Sequence, residues 1–263
     1  MGWMGWIRTG YAPSDLARTL CLKNLFQDDL QANKGLFPDQ SGLASLGRGW
    51  LAPFHMAAIH LPERCGVMFL PDCTLFPHGG LPLYIFEKRY RRMLEEALEG
   101  DCFFAVARLL GDETGHPANF VAPVGTIGLV RASREQDDGT SQLLLHGVMR
   151  VRFTDWHDGN EYPCASIEPV ISVFSPENQA LAAMLTLRGA VEDAVVHLPE
   201  SIQSGIFELL SRADDPGLLT DVICQQFIQE PDLRQKLLET VSIGDRIPVI
   251  CDYLGHLRLA RDD

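Results

Sequence analysis

The spacing of apolar and polar positions changes character twice along this 263-residue chain. Before about residue 60 there is little sustained periodicity. Leu16, Leu20 and Leu25 fall near one face after Ser14, so one short helix is predicted over Ser14–Asp29, with Ser14 as its cap. From Gly66 onward short apolar runs alternate with turn residues. "GVMFLP" and "DCFFAVARLL" read as buried strands, and "LPLYIF" places Leu81, Leu83 and Ile85 on one face. "VGTIGLVRAS" and "SQLLLHGVMRVRFTDW" flank Asp138-Gly139, a hairpin signal. In the second arm Met149, Val151 and Phe153 alternate with Val148, Arg150 and Arg152, which predicts one buried face. "YPCASIEPVIS" completes about six strands, a set that suits a small barrel or curled sheet.

One helix interrupts the strands. Between Phe86 and Leu98 the residues Tyr90, Met93, Leu94, Ala97 and Leu98 keep helical spacing, and Gly100 stands where a C′ glycine ends a helix. After Val173 the period becomes helical throughout. Helices are predicted over Ala180–Val196 and Ser201–Arg212, then from Asp215-Pro216-Gly217, over Asp232–Thr240, and over Asp245–Leu259 with Pro248 in its first turn. The expected organisation is an irregular extension over 1–60, a β pseudobarrel over 61–175 and a helical bundle over 176–263. The break in composition also suggests Met56 as an alternative translation start.

Charge narrows the function. The formal net charge is -13, from 22 Lys+Arg against 35 Asp+Glu. A duplex-binding surface needs the opposite balance, so nucleic acid is not an expected partner. No apolar run approaches the roughly 18 residues of a membrane span. Seven scattered cysteines, an odd number without a C-x-x-C pair, read as reduced thiols of a cytoplasmic protein. The amino terminus lacks the basic and apolar regions of a signal peptide.

Catalytic chemistry finds no anchor in the motifs. The chain has no P-loop, no Rossmann glycine fingerprint after a strand, no G-x-S-x-G and no H-E-x-x-H. His78, His116, His146, His157 and His197 lack ligand spacing, and His146 is expected to fill a sheet position. Cys164 with His146 or His157 is conceivable as a thiol pair, but a buried inert cysteine is the simpler reading. Asp137-Asp138 and the helix residues Glu95, Glu96 and Glu99 read as solvated. The cluster Lys88, Arg89, Arg91, Arg92 lies in the first turns of its helix, opposite to the preference of the helix dipole. Arg91–Glu95 and Arg92–Glu96 pairs are expected to offset part of that cost.

"LPDCTLFPHGGLPLYIFEKRYRRML" resembles the N-terminal, substrate-binding domain of the Lon proteases. The family-motif residues there are Pro71, Phe76, Pro77, Leu81, Pro82, Phe86, Glu87, Arg89 and Tyr90. The likeness continues through Gly125 of "VGTIGLV" and through Gly147 and Arg150 of "LLLHGVMRVRF", with Val151 where phenylalanine is usual. It extends into "DDPGLLTDVI" and "RQKLLETVSIGDRI". Lys88 replaces a common proline, and Ile223-Cys224 a common small residue. The resemblance implies an α+β fold: a six-stranded antiparallel pseudobarrel of PUA-like type with an inserted helix, followed by a helical bundle. It implies a non-catalytic module that binds unfolded or tagged polypeptides, without cofactor or metal, as an adaptor or chaperone-like factor beside a separate protease or chaperone. The sequence ends nine residues after Leu254, which leads us to expect a free-standing domain without the ATPase and Ser-Lys peptidase modules. Two expectations follow for geometry. Phe86 and Tyr90 should anchor the inserted helix, and Glu87 should be partly buried, satisfied by backbone N–H groups or by Arg89 or Arg150. The alternative is an enzyme with an unrecognised small-molecule site in the cleft between barrel and bundle, a place where an extended peptide would also fit.

Overall fold

The computed structural model describes residues 61–259. The short helix at Ser14–Asp29, the extension and the Met56 start lie outside those residues. From Pro62 onward the described chain forms one compact unit, so sheet and helices share their packing.

Six strands form one sheet: β1 (Arg64–Pro71), β2 (Gly80–Ile85), β3 (Phe103–Leu109), β4 (Val124–Glu135), β5 (Ser141–His157) and β6 (Cys164–Pro169). Their order is β2-β5-β4-β3-β1-β6, and β6 also pairs with β5. The pairings thus return on themselves without forming a regular barrel. β5 makes this possible by its length. Its first half pairs with β2 and its last part with β6, while β4 runs along its other edge. Register shifts in the β4–β5 and β5–β6 ladders bend the strand between those duties.

The strand number matches the expectation, but the sheet is mixed. β1 and β3 run parallel, with Pro71 opposite Leu109 at their shared carboxyl ends. Parallel neighbours need a crossover. The chain supplies it through β2 and helix α1 (Lys88–Glu99), whose Tyr90, Met93 and Leu94 bury against Met68, Leu70, Phe104, Val106 and Leu145. Tyr90 is held at both ends: its ring is in the core and its hydroxyl accepts from the Phe69 N–H at 3.0 Å. Phe86 is not the second anchor. It is 48% exposed and stacks on Tyr84 instead, because it precedes the helix and stays on the outer face of β2. Gly100 ends α1 by donating to the Glu96 and Ala97 carbonyls at φ -101; the left-handed step falls later, at Cys102, φ 63. The Asp138-Gly139 turn joins β4 to β5, with Gly139 at φ 76.

Five helices follow: α2 (Ala180–Val195), α3 (Glu200–Ser211), α4 (Pro216–Phe227), α5 (Pro231–Glu239) and α6 (Ile243–Leu259). Each lies within two residues of its predicted bounds. Asp215 caps α4 by accepting from the Leu218 N–H at 2.9 Å, ahead of proline at the first helical position. α6 starts earlier than expected, so Pro248 lies inside the helix, past its first turn. The Val173 backbone N–H and carbonyl bond to Val241 and Ile243, tying the segment after β6 to the start of α6.

Candidate functional site

The segment from Asp72 to Gly79 is the joint between sheet and helices. Phe76 and Pro77 are buried there. The Phe76 N–H donates to Gln225 Oε1 at 3.0 Å, and the Phe76 ring lies 5.2 Å from the Arg234 guanidinium and 5.8 Å from that of Arg150. Arg234 donates to the Thr74 carbonyl at 2.5 Å and to the Ile228 carbonyl at 2.7 Å. Gln235 donates to the Val124 carbonyl at 2.9 Å. Helix α5 is therefore tied to β4 and to the Leu-Phe-Pro segment.

The two motif glycines follow from close backbone approach. A Cβ at Gly147 would collide with the Phe76 carbonyl, and one at Gly125 with the Val106 carbonyl.

Arg150 does not face solvent. Arg150 and its neighbour Val151 are both buried, because helices cover one face of β5 and the sheet interior the other. Arg150 donates to Asp221 through Nη1 at 2.7 Å and Nη2 at 2.5 Å, and to the Leu238 carbonyl through Nε at 3.0 Å. Arg246 approaches the same carboxylate through Nη1 at 3.3 Å, and donates to the Thr240 carbonyl and to Ser172 Oγ. Arg150, Asp221 and Arg246 are 3%, 4% and 0% exposed. Burial, then Arg150, lowers the Arg246 pKa to about 10 against the opposing pull of Asp221, so the group stays charged at neutral pH. Together these side chains form a buried charged triad. It clamps β5, α4 and α6 together.

These contacts fill part of the boundary between sheet and helices, and the rest stays open beside Asp232 of α5. A cavity of about 620 Å³ remains at one end of the sheet, where β1 and β3 finish. Pro71, Leu110, Asp72, Asp112, Glu113 and Asp232 line it, with Arg108.

Glu87 is half-buried and pairs with Arg89 at 2.9 Å, not with Arg150. Arg89 continues to Glu113 through two bonds of 2.6 and 3.0 Å. The remaining basic residues of α1 stay on its surface. Arg92 pairs with Glu95 and with Glu96, both at 2.8 Å. Arg91 reaches the Asp138 carbonyl in the β4–β5 turn instead of Glu95. Pro71, Leu81 and Pro82 punctuate β1 and β2. Leu81 and Leu83 pack toward the core beside Ile85, while Pro82 and Tyr84 face outward. β2 is the terminal strand of the sheet, and among the described residues no strand pairs with its outer edge. Pro82, which lacks an N–H, is tolerated in such an edge strand.

Burial pushes Cys65 and Cys224 up to about 12, and raises Cys73, Cys164 and Cys251 as well. His146 is half-buried, and burial followed by Arg131 and His78 lowers its pKa, which keeps it neutral. Neither pairs into a thiol–imidazole couple. His157 Nε2 instead lies 2.8 Å from Ser166 Oγ, with Asp155 4.0 Å from Nδ1. The order of groups resembles a serine hydrolase triad. However, Asp155 is beyond hydrogen-bond reach, and Ser166 is flanked by Arg64 of β1 and Asp155 of β5, so its backbone is not open to cradle an oxyanion. Among the described residues no group of His, Cys, Asp and Glu is placed to hold a metal ion, and no helix is long and apolar enough to cross a membrane.

Comparison with known proteins agrees with this architecture. The family model of the ATP-dependent protease La (LON) substrate-binding domain matches residues 64–256. The Lon protease of Desulfosudis oleivorans is 22% identical over 198 residues, covering 74% of this chain and 24% of that protein. The Lon protease of Escherichia coli is 26% identical over 188 residues, covering 70% and 24%. The chain therefore spans about a quarter of the length of these relatives. Among solved structures, the N-terminal domain of the Mycobacterium avium complex Lon protease superposes with a TM-score of 0.58 at 16% identity, over 73% of this chain and 98% of that one. The Lon N-terminal domain protein from Xanthomonas campestris gives 0.50 at 16% identity, over 71% and 96%. With the family model matched over residues 64–256, this chain belongs to the LON substrate-binding domain family.

Proposed function

We propose that this protein is a non-catalytic polypeptide-binding module that captures unfolded or tagged chains, acting as an adaptor or chaperone-like factor in the cytoplasm beside a separate protease or chaperone. Family membership supports the substrate-recognition role. The observation that carries it to a surface is the outer edge of β2. That edge is unpaired among the described residues, and the exposed Tyr84 and Phe86 rings stand beside it, 6.1 Å apart. An extended peptide adds a strand to such an edge through main-chain bonds, and neighbouring aromatic surface takes its apolar side chains. In this reading the motif residues Pro71, Phe76, Pro77, Gly125, Gly147 and Arg150 are scaffold. The 61–175 portion carries the binding surface, and the 176–263 portion braces it.

The test is light scattering of an aggregating unfolded client with and without the full chain, together with fluorescence anisotropy of labelled unfolded peptides. Suppressed aggregation and saturable peptide binding are expected. No effect on aggregation and no binding at high micromolar protein sink the reading.

A further inference from the structure

The hydrogen-bond phase of β2 fixes what an added strand would meet at its outer edge. The Gly147 N–H donates to the Gly79 carbonyl at 2.8 Å, just before β2 begins. In an antiparallel ladder such bonded pairs alternate with unbonded ones. Leu81, Leu83 and Ile85, opposite Leu145, Leu143 and Ser141, therefore bond to β5. Gly80, Pro82 and Tyr84 turn their main-chain groups the other way, to the free edge. Proline at 82 agrees with that phase, since its missing N–H falls where no described strand asks for it. These three residues share one face of the sheet with His146, Leu144 and Gln142 of β5, their partners in register.

The two ends of that face differ. At Tyr84 it is aromatic, with Tyr84 and Phe86 exposed and stacked 6.1 Å apart. At Gly80 it is cationic. Gly80 has no side chain to cover His146, which stands opposite it. His78, in the turn before β2, and Arg131, in the bulge of β4, are both exposed. Burial acts most on the His146 ring, Arg131 and His78 come next, and no carboxylate is among the groups that act on it. In a chain of net charge -13, three basic side chains gathered without an acid reverse the local sign. An added strand would lie two strand spacings from β5, about 10 Å. A glutamate on that strand and the His146 side chain, reaching toward each other across Gly80, span this distance.

We propose that the β2 edge selects client segments carrying an acidic and an apolar residue four positions apart, the carboxylate opposite Gly80 and facing His78, His146 and Arg131, the apolar side chain opposite Tyr84. The inference rests on the polypeptide-binding reading above and deepens it by naming the client's chemistry and register. Either order of the two residues fits, according to whether the added strand runs antiparallel or parallel to β2. A spacing changed by one residue turns one of the two side chains to the other face. Charge complementarity of this kind sets selectivity and approach more than raw affinity, and it fades with salt.

The experiment uses the full chain and labelled unstructured peptides that are otherwise identical. Each carries a leucine four residues from a glutamate, a glutamine or a lysine, in both orders, and a further peptide sets glutamate and leucine three apart. At low ionic strength the glutamate peptide should bind about threefold tighter than its glutamine counterpart in at least one order, and the lysine peptide more weakly than either. These differences should shrink toward unity in about 0.5 M salt. The peptide with the shorter spacing should lose the advantage. His78→Asn/Arg131→Gln should bring the glutamate and glutamine peptides level while the glutamine peptide binds as before; asparagine tolerates the φ of 63 at position 78. Arg131→Glu, on an exposed residue, should turn the preference toward lysine. Thermal melts show whether each variant is folded. Equal binding of the glutamate, glutamine and lysine peptides overturns the inference and leaves the general reading standing. A glutamate preference that both variants retain, or that is indifferent to spacing, overturns this register as its source. Failure of every peptide to bind overturns the polypeptide-binding reading and this one with it.

Discussion

Replacing Asp221 by alanine should be the most damaging single change in the helical half, far beyond the loss of a small side chain. The carboxylate is 4% exposed and faces two guanidinium groups, at 2.5 Å from Arg150 and 3.3 Å from Arg246. At an effective dielectric constant of about 20, each contact corresponds to an attraction of roughly 5 kcal/mol before desolvation is charged against it. Desolvating three ions offsets most of this, so the intact triad adds little net stability over an apolar core. Removal of the one anion is different. Two buried cations remain, 3% and 0% exposed, with repulsion and no counter-charge. Breaking a buried pair in this way costs about 3–5 kcal/mol. In a domain of this size 1 kcal/mol shifts the melting temperature by about 2–4 °C, so the expected fall is about 6–20 °C. The assay is circular dichroism, by heat and by urea, on the parent, Asp221→Ala and Asp221→Asn. The amide variant keeps an acceptor and loses only the charge, so it should fall between the other two. The triple apolar replacement Arg150→Met/Asp221→Leu/Arg246→Met should recover much of the loss. If Asp221→Ala melts within about 2 °C of the parent, the guanidinium groups are hydrated and the clamp argument is wrong.

Further outcomes test other parts of the structure. Gly147→Ala and Gly125→Ala each drive a Cβ into a backbone carbonyl, and each should lower stability by about 1–3 kcal/mol in urea unfolding. Tyr84→Ser/Phe86→Ser should weaken binding of an apolar unfolded peptide several-fold while leaving the melting temperature within a few degrees, since Tyr84 and Phe86 are exposed. Cys65 and Cys224 should resist iodoacetamide at neutral pH in the native protein and react once it is unfolded. Burial pushes both up to about 12, above the ordinary thiol value of 9.0, so the folded state holds these protons longer. Their contribution to stability is full below about pH 9 and is lost as pH rises toward 12, by up to about 1.4 kcal/mol per thiol per pH unit. Urea midpoints that stay constant across that range refute the assignment.

Strands and helices were legible because their periods differ and because Gly, Pro and Asp-Gly punctuate them. Leu81, Leu83 and Ile85 reached the core as their alternation requires. The parallel β1–β3 pair was not legible, since pairing direction depends on where a crossover returns, and a strand of continuous apolar residues reads alike in either direction. The partners of Arg150 were not legible either. Alternation with Met149 and Val151 puts it on the opposite face, and nothing in the strand itself says that this face is covered, since arginine is rarely buried. The face is opposite, but helices cover it. The missing information lay about 70 residues away in "LLTDVI" and about 100 away in "IGDRI", where Asp221 lies one helical turn from the buried Cys224 and Arg246 one turn from the buried Ile243 and Ile250. An acidic and a basic residue, each interrupting an apolar stripe in a different helix, are weak signals separately. Together with an arginine interrupting a strand they are charges that must neutralise one another, because none can be buried alone. The same reasoning explains why the cavity at the strand ends escaped notice. Asp72, Asp112 and Asp232 stand in turns or at a helix start, where acidic residues need no further explanation, and only the return of β3 beside β1 brings them to one rim.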